Sequence, residues 1–321
     1  MKKLNILYIF IFFLACEKEE RPIIQHPIGN IIATQIDIGS NYSQQVYYSI
    51  SNNIIITENE KEDWDLAFES SSQGWNIIIN SSTFSQIAEL SNNFSDTINA
   101  NNLNWNWDKA EGINEGTAIG DYRNKEKLYV LDRGFNINGS PRGYKKFIID
   151  SVNNNSYFIK YANLDNTNLQ NLIIYKDNTY NFQYLTFKTD ETISIEPRKE
   201  DWDLLFTQYT HLFLDNLETP AYLVTGVLTN YINNILVATD TINKFIDINL
   251  KMIDEYNFTN RQNEIGYNWK SFNFNSQSYT VNSDKTYIIS DLDGRYFKLH
   301  FIDFYNDNGE KGSPKFEVQE L

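Results

Sequence analysis

Two stretches decide the fold: Lys61-Glu62-Asp63-Trp64-Asp65-Leu66-Ala67-Phe68 and Lys199-Glu200-Asp201-Trp202-Asp203-Leu204-Leu205-Phe206. In each, Trp, Leu and Phe fall on alternate positions, the period-2 pattern of a half-buried strand. The charged Lys-Glu-Asp lead-in reads as a solvated turn feeding that strand. The two copies lie 138 residues apart, and the same offset relates Tyr42 to Tyr180 and Gln45 to Gln183. A constant offset over such a run marks the internal duplication of a β-rich unit. Trp and Phe are expected in the core. Asp65 and Asp203 are expected to accept backbone N–H groups in their turns, not to carry chemistry.

Composition agrees with an all-β chain. Of 321 residues, 15% are aromatic, mostly Tyr and Phe, residue types that suit a pleated, half-buried surface. Pro is sparse and long helical runs are missing. The formal net charge is −15, with no Lys/Arg cluster beyond the first residues, which excludes an electrostatic nucleic-acid partner. The acidity keeps an exported chain dispersed.

Met1-Lys2-Lys3 followed by the nearly all-apolar Leu4 to Leu14 has the form of a signal peptide and is too short to span a bilayer. It ends at Ala15-Cys16, the only Cys in the chain. A lone Cys directly after a signal core is what lipidation at the mature N-terminus requires, so Cys16 is the expected lipid anchor to the membrane. The expected organisation is a signal peptide over 1–15, a lipid-anchored tether over 16–30, a first β-rich half over 31–165 and a second over 166–321. Glu17-Lys18-Glu19-Glu20 resembles the Lys-then-acidic signal that takes such lipoproteins to the outer face of the outer membrane. His26 lies in the tether and reads as solvated.

Further along, Gln86 to Leu90 reads as a short helix in a polar, Asn-rich excursion that also holds Trp105. Tyr144 to Val152, Asn153-Asn154-Asn155 and Ser156 to Ala162 read as a hairpin. Thr241 to Asn257 mixes helical and strand periods and is the best helix candidate. Arg295 to Tyr305 reads as the last long strand, and Pro314 to Leu321 as a closing edge strand, where an initial Pro is tolerated.

Enzyme signatures are missing: there is no HExxH, GxSxG, P-loop or GxGxxG. The expectation is therefore a binding protein. Asp291-Leu292-Asp293-Gly294 and Asn306-Asp307-Asn308-Gly309 fail the pattern of a calcium loop and read as turns.

The lipoprotein-type start, the two Trp-Asp-Leu-x-Phe strands and the ending Tyr296-Phe297-Lys298-Leu299-His300-Phe301-Ile302-Asp303-Phe304-Tyr305…Gly309-Glu310-Lys311-Gly312-Ser313-Pro314-Lys315-Phe316 together resemble the HmuY-like surface lipoproteins of Bacteroidetes. The resemblance runs from about residue 31 to the C-terminus. It implies antiparallel sheets from two sequence-similar halves and a surface-anchored protein. The best-known members scavenge haem for a TonB-dependent outer-membrane transporter. They hold the iron between two His, or two Met, on loops beside the sheet. A ligand His would be expected immediately after the Trp-Asp strand, yet Glu69 and Thr207 stand there.

The remaining iron-ligand pool is His26, His211, His300 and Met252. His300 alternates with Leu299 and Phe301 and should face away from the core with Tyr296 and Lys298, towards a cross-strand or solvent contact. His211, close behind the second Trp-Asp strand, is the best candidate, with Met252 as a partner. Two functions fit these residues: capture of haem or another small hydrophobic ligand for a transporter, or an accessory surface role, holding a protein or glycan with no haem site.

Overall fold

The computed structural model describes residues 29–123, 127–213 and 220–321. The signal peptide, Cys16 and His26 lie outside the described residues. In chain order the first half supplies β1 (Ile32–Gln35), β2 (Gln44–Ser49), β3 (Ile54–Glu60), β4 (Leu66–Glu69), β5 (Asn76–Ile79), β6 (Gln86–Leu90), β7 (Gly120–Asp121), β8 (Leu128–Asp132), β9 (Tyr144–Val152) and β10 (Ser156–Ala162). The second supplies β11 (Gln170–Tyr175), β12 (Phe182–Thr186), β13 (Glu191–Ile193), β14 (Leu204–Leu212), β15 (Ala221–Thr229), β16 (Leu236–Asp240), β17 (Lys270–Asn273), β18 (Ser278–Val281), β19 (Thr286–Ser290), β20 (Tyr296–Tyr305) and β21 (Lys311–Glu320). The named strand pairings are all antiparallel, as expected from the sequence.

Four sheets stack face to face. The first is ordered β11-β10-β9-β8-β6, the second β13-β12-β4-β5-β7, the third β15-β14-β2-β3 and the fourth β1-β21-β20-β19-β16. One core lies between each neighbouring pair: Phe68, Tyr129 and Phe147 between sheets one and two, Trp64, Trp202 and Tyr209 between two and three, and Phe206, Phe301 and Phe316 between three and four. Stacking buries both faces of the two inner sheets, which explains why every residue from Trp64 to Phe68 is buried, not every second one.

The halves exchange strands. β2 of the first half pairs with β14 of the second, and β12 of the second with β4 of the first. In the outer sheets β1 pairs with β21, and β11 with β10. Each Trp-Asp strand therefore lies beside a strand of the other copy.

The duplication extends to single atoms. Trp64 packs edge-on to Tyr184 with ring centroids 5.1 Å apart, and Trp202 to Tyr47 at 5.0 Å. Both indole N–H groups are bonded too, though to acceptors that are not counterparts in the repeat: Trp64 to Gln45 Oε1 at 2.9 Å and Trp202 to Glu196 Oε1 at 3.2 Å. The buried Asn80 amide donates to the carbonyls of Lys61 and Trp64, and Asn230 does the same to Lys199 and Trp202. These bonds fix each lead-in turn from its inner side, where the buried Asn80 and Asn230 satisfy the turn's carbonyls.

Several sequence expectations are corrected. Each Trp precedes its strand, so alternation does not govern it: Leu66 and Phe68 face the first sheet, whereas Trp64 joins Ala67 on the other face. Asp65 and Asp203 do not close their own turns. Phe187 N–H donates to Asp65 Oδ2 at 2.7 Å and Ile50 N–H to Asp203 Oδ2 at 2.7 Å, both across the halves. Gln86–Leu90 is a strand, held by β8. Over 241–257 the chain makes only two short 3-10 turns, Phe245–Asp247 and Leu250–Glu255. Their apolar side chains need only cover the outer face of the fourth sheet, and no regular period is imposed. β21 is interior, with β1 on one side and β20 on the other. Pro314 falls within it, and its carbonyl accepts from Ile36 N–H at 3.0 Å.

Candidate functional site

The two positions directly after the Trp-Asp strands are committed to the fold. Thr207 is fully buried; its hydroxyl accepts from Gln45 Nε2 at 3.0 Å and donates to the Gln208 carbonyl at 2.9 Å. Glu69 Oε2 accepts the N–H groups of Trp75 and Asn76 at 2.9 and 3.0 Å, together with the Asn76 side-chain amide.

His300 is also engaged. It faces Glu317 across the ladder, with Nε2 2.8 Å from Glu317 Oε2, and its ring stacks on Phe245 at 4.0 Å and 9°. Met252 stands on the turn Leu250–Glu255, where its sulfur accepts weakly from Asn249 Nδ2 at 3.6 Å. The neighbours of that turn, Ala238, Ile288 and Leu321, belong to the outer face of the fourth sheet.

His211 is elsewhere, near the far end of the β14–β15 hairpin, in register with Tyr222. The structure thus places His211 and Met252 against different sheets. The imidazole of His211 meets Phe213 edge-on at 4.8 Å and Tyr267 at 5.1 Å. Its Nδ1 is buried with no hydrogen-bond partner among the described residues. Burial lowers its pKa, opposed by the nearby Glu111 carboxylate, so the ring is neutral at neutral pH and keeps one nitrogen lone pair.

Tyr267 reaches His211 because the backbone before it lies flat on β15. Val227 and Gly266 exchange both N–H bonds, at 2.9 and 3.0 Å. A Cβ on Gly226 would stand 2.3 Å from the Gly266 carbonyl oxygen, so only glycine permits this approach. Tyr222, 60% exposed, adds a ring across the ladder. Sequence reading found His211 but not Phe213, Tyr222 or Tyr267 as its surroundings. Phe213 was two residues away and legible; Tyr267 arrives through the Gly226–Gly266 approach, which has no local signature.

A second feature lies between the inner sheets: a cavity of about 80 Å³ bordered by Trp64, Trp202, Tyr209, Asp108 and Glu196. Burial pushes Glu196 up to about 8 and Asp108 up to about 7. Organic ligands occupy roughly 300 Å³ or more, so a haem does not fit there. Among the described residues, no group of three or more His, Cys, Asp or Glu is placed to hold a metal ion. Asp291 accepts the N–H groups of Asp293 and Arg295, and Asn306 those of Asn308 and Glu310, so both side chains close their own turns.

The family model described as HmuY protein matches residues 41–181 and, a second time, residues 178–318. The chain belongs to the HmuY family. No curated protein matches it significantly. Among solved structures it is similar to apo PinO from Porphyromonas gingivitis, at 9% identity, covering 91% of this chain and 97% of that one, with a TM-score of 0.30. It is also similar to the apo HmuY analog of Tannerella forsythia, at 10% identity, covering 92% and 99%, with a TM-score of 0.27. A HmuY-like protein from Bacteroides vulgatus aligns at 11% identity over 90% of each chain, with a TM-score of 0.25. The two HmuY matches divide the chain near residue 180, just before β12, the strand that crosses to the first half's β4.

Against haem as a ligand, the described residues offer one axial nitrogen. Among the described residues, His211 is the single neutral, unpaired candidate with aromatic neighbours; His300 is paired and Met252 lies against another sheet. Haem would supply an iron for that nitrogen and a flat apolar face for the rings.

Proposed function

We propose that this HmuY-family protein is a surface lipoprotein, anchored to the outer membrane through Cys16, that captures a flat, largely apolar ligand, haem foremost, for an outer-membrane transporter of the TonB-dependent type. The observation that carries the reading is His211: a buried imidazole nitrogen, unpartnered among the described residues, with Phe213 and Tyr267 against the ring. A buried polar atom without a partner costs about 1–3 kcal/mol, which a ligand atom would relieve. Aromatic rings provide the apolar faces that a planar ligand buries. Haem held by His211 would have Met252 as its partner only if the segment Leu250–Glu255 moved; otherwise water would complete the iron, since Tyr209 is buried against the small inner cavity. Binding is therefore weaker than at a site with two facing histidines.

The test is titration of the chain from residue 17 onward with ferric haem. A sharp Soret band in wild type, lost in His211→Ala and kept in His300→Ala, supports the proposal. A wild-type spectrum no different from haem added to an unrelated acidic protein overturns it. Glu69 and Thr207, locked into the fold where the family places a ligand, are the observation that favours the second reading, an accessory surface lipoprotein without a haem site.

A further inference from the structure

We infer that the loop 241–247 is a membrane-contacting wedge, which lays the fourth sheet's side of the protein against the bilayer that holds the lipid. The inference rests on Cys16 being the anchor.

The two halves carry the same device after β6 and β16. In the first, the buried Lys146 donates to the carbonyls of Phe94 and Asp96 at 2.8 and 2.6 Å, with its ammonium 5.1 Å from the centre of the Phe94 ring. In the second, the buried Lys298 donates to the carbonyls of Phe245 and Ile248 at 2.6 and 2.8 Å, with its ammonium 4.7 Å from the Phe245 ring. Each lysine pins a loop to its outer sheet. The loops differ in what they show to solvent. The first exposes Asn92, Asn93 and Ser95. The second exposes Ile242, 92% accessible, and Ile246, 66% accessible. Asp240 holds Ile242 in place, accepting the N–H groups of Ile242 and Asn243 at 2.7 and 2.9 Å.

The apolar copy is the one beside the place where the tether enters. Gly29 N–H donates to the Glu320 carbonyl at 3.0 Å, and Gln319 Nε2 to the Gly29 carbonyl at 2.7 Å. Leu321, the next residue, packs in one cluster with Ile248 and Ile253, directly behind the wedge. Ile31 and Ile32, also exposed, follow Gly29. The 13 residue steps from Cys16 to Gly29 reach at most about 45 Å when fully extended. The lipid thus keeps this end of the molecule near the membrane, where exposed isoleucines can enter the interface.

Acylation consumes the chain's only thiol, so a Cys introduced elsewhere is the single free one. Full-length lipidated chain carrying Ile242→Cys, labelled with an environment-sensitive nitrobenzoxadiazole dye, is reconstituted into phosphatidylethanolamine–phosphatidylglycerol vesicles. Ser95→Cys, on the polar loop, is the matched control. The expected result is co-flotation of both, with a blue shift and loss of emission to doxyl-labelled lipids at position 242 and neither at position 95. An aqueous spectrum at position 242 on co-floating protein overturns the wedge and leaves Ile242 and Ile246 to a protein partner. Equal quenching at both positions overturns the orientation. Failure to co-float shows that the anchor reading itself is wrong, and the wedge falls with it.

Discussion

Asp65 of the first half accepts the backbone N–H of Phe187 in the second at 2.7 Å, and it does so while paired with two arginines. Its partner across the duplication, Asp203, accepts Ile50 N–H at the same distance, but Arg295 lies farther off and ion-pairs instead with Asp291 and Asp293. The same backbone bond therefore sits in two electrostatic settings. At Asp65 one carboxylate is shared by Arg133 and Arg142, whose side chains are only 13% and 3% exposed. At Asp203 burial pushes the carboxyl up to about 6.

That difference predicts unequal losses. Asp65→Ala leaves two largely buried guanidinium groups uncompensated and should cost about 3–5 kcal/mol. Asp203→Ala should cost about 1–3 kcal/mol, the range for stranding one buried backbone donor. Urea denaturation of both variants checks the order. Equal losses would show that the cross-half backbone bond, and not the arginine pair, dominates.

The two tryptophans should behave alike. Trp64→Ala and Trp202→Ala each remove a buried indole, its edge-on tyrosine contact and its N–H bond. Each should cost about 3–5 kcal/mol. Trp105 is half-buried, stacked on the exposed Tyr144 at 6.0 Å, and Trp105→Ala should cost clearly less. Denaturation midpoints of the three variants decide the point; equal and small losses would remove the inner sheets as the stabilising core.

The repeated Trp-Asp-Leu-x-Phe segment made the duplication and the β class legible, because a strand's side-chain period and a fixed offset are both local properties of a sequence. The exchange of strands was not legible. Tyr48 and Leu204 pair across the halves, and pairing within or between copies leaves the same hydrophobic pattern. The fate of Trp64 was hidden for a related reason: it lies just before β4, where alternation no longer assigns a face. At the site, alternation correctly put His300 opposite Leu299 and Phe301, and the structure shows its cross-strand partner to be Glu317. His211's surroundings depend on Gly226 admitting Gly266, a contact between distant segments that no short pattern records.

The C-terminal segment should prove indispensable. Because β21 is bonded on both sides, removing Ser313 to Leu321 strips Phe316 and Val318 from the core and exposes the backbone edges of both β1 and β20. Unpaired edges recruit other chains. The truncated chain should aggregate on expression, read by size-exclusion chromatography. A soluble truncation that melts cooperatively would contradict the interior position of β21.

Lys270 should impose a pH dependence on stability. Its amine is buried, donates to the Thr225 carbonyl at 2.5 Å and lies over the rings of Trp269 at 4.2 Å and Phe304 at 4.7 Å. Burial lowers its pKa from 10.5 to about 7. The unfolded chain therefore takes up this proton more readily than the folded one. The contribution from this group is fully present above about pH 10.5, where the amine is neutral in both states, and is lost as pH falls to about 7. Each unit of the difference is worth about 1.4 kcal/mol. Lys270→Met keeps most of the volume and removes the proton site, so its stability relative to wild type should improve steadily as pH is lowered from 10 to 7. Urea denaturation of both proteins across that window gives the comparison, and groups that titrate in common cancel. Parallel curves would show that Trp269, Tyr279 and Phe304 hold the ammonium well enough through their ring faces to restore its ordinary proton affinity.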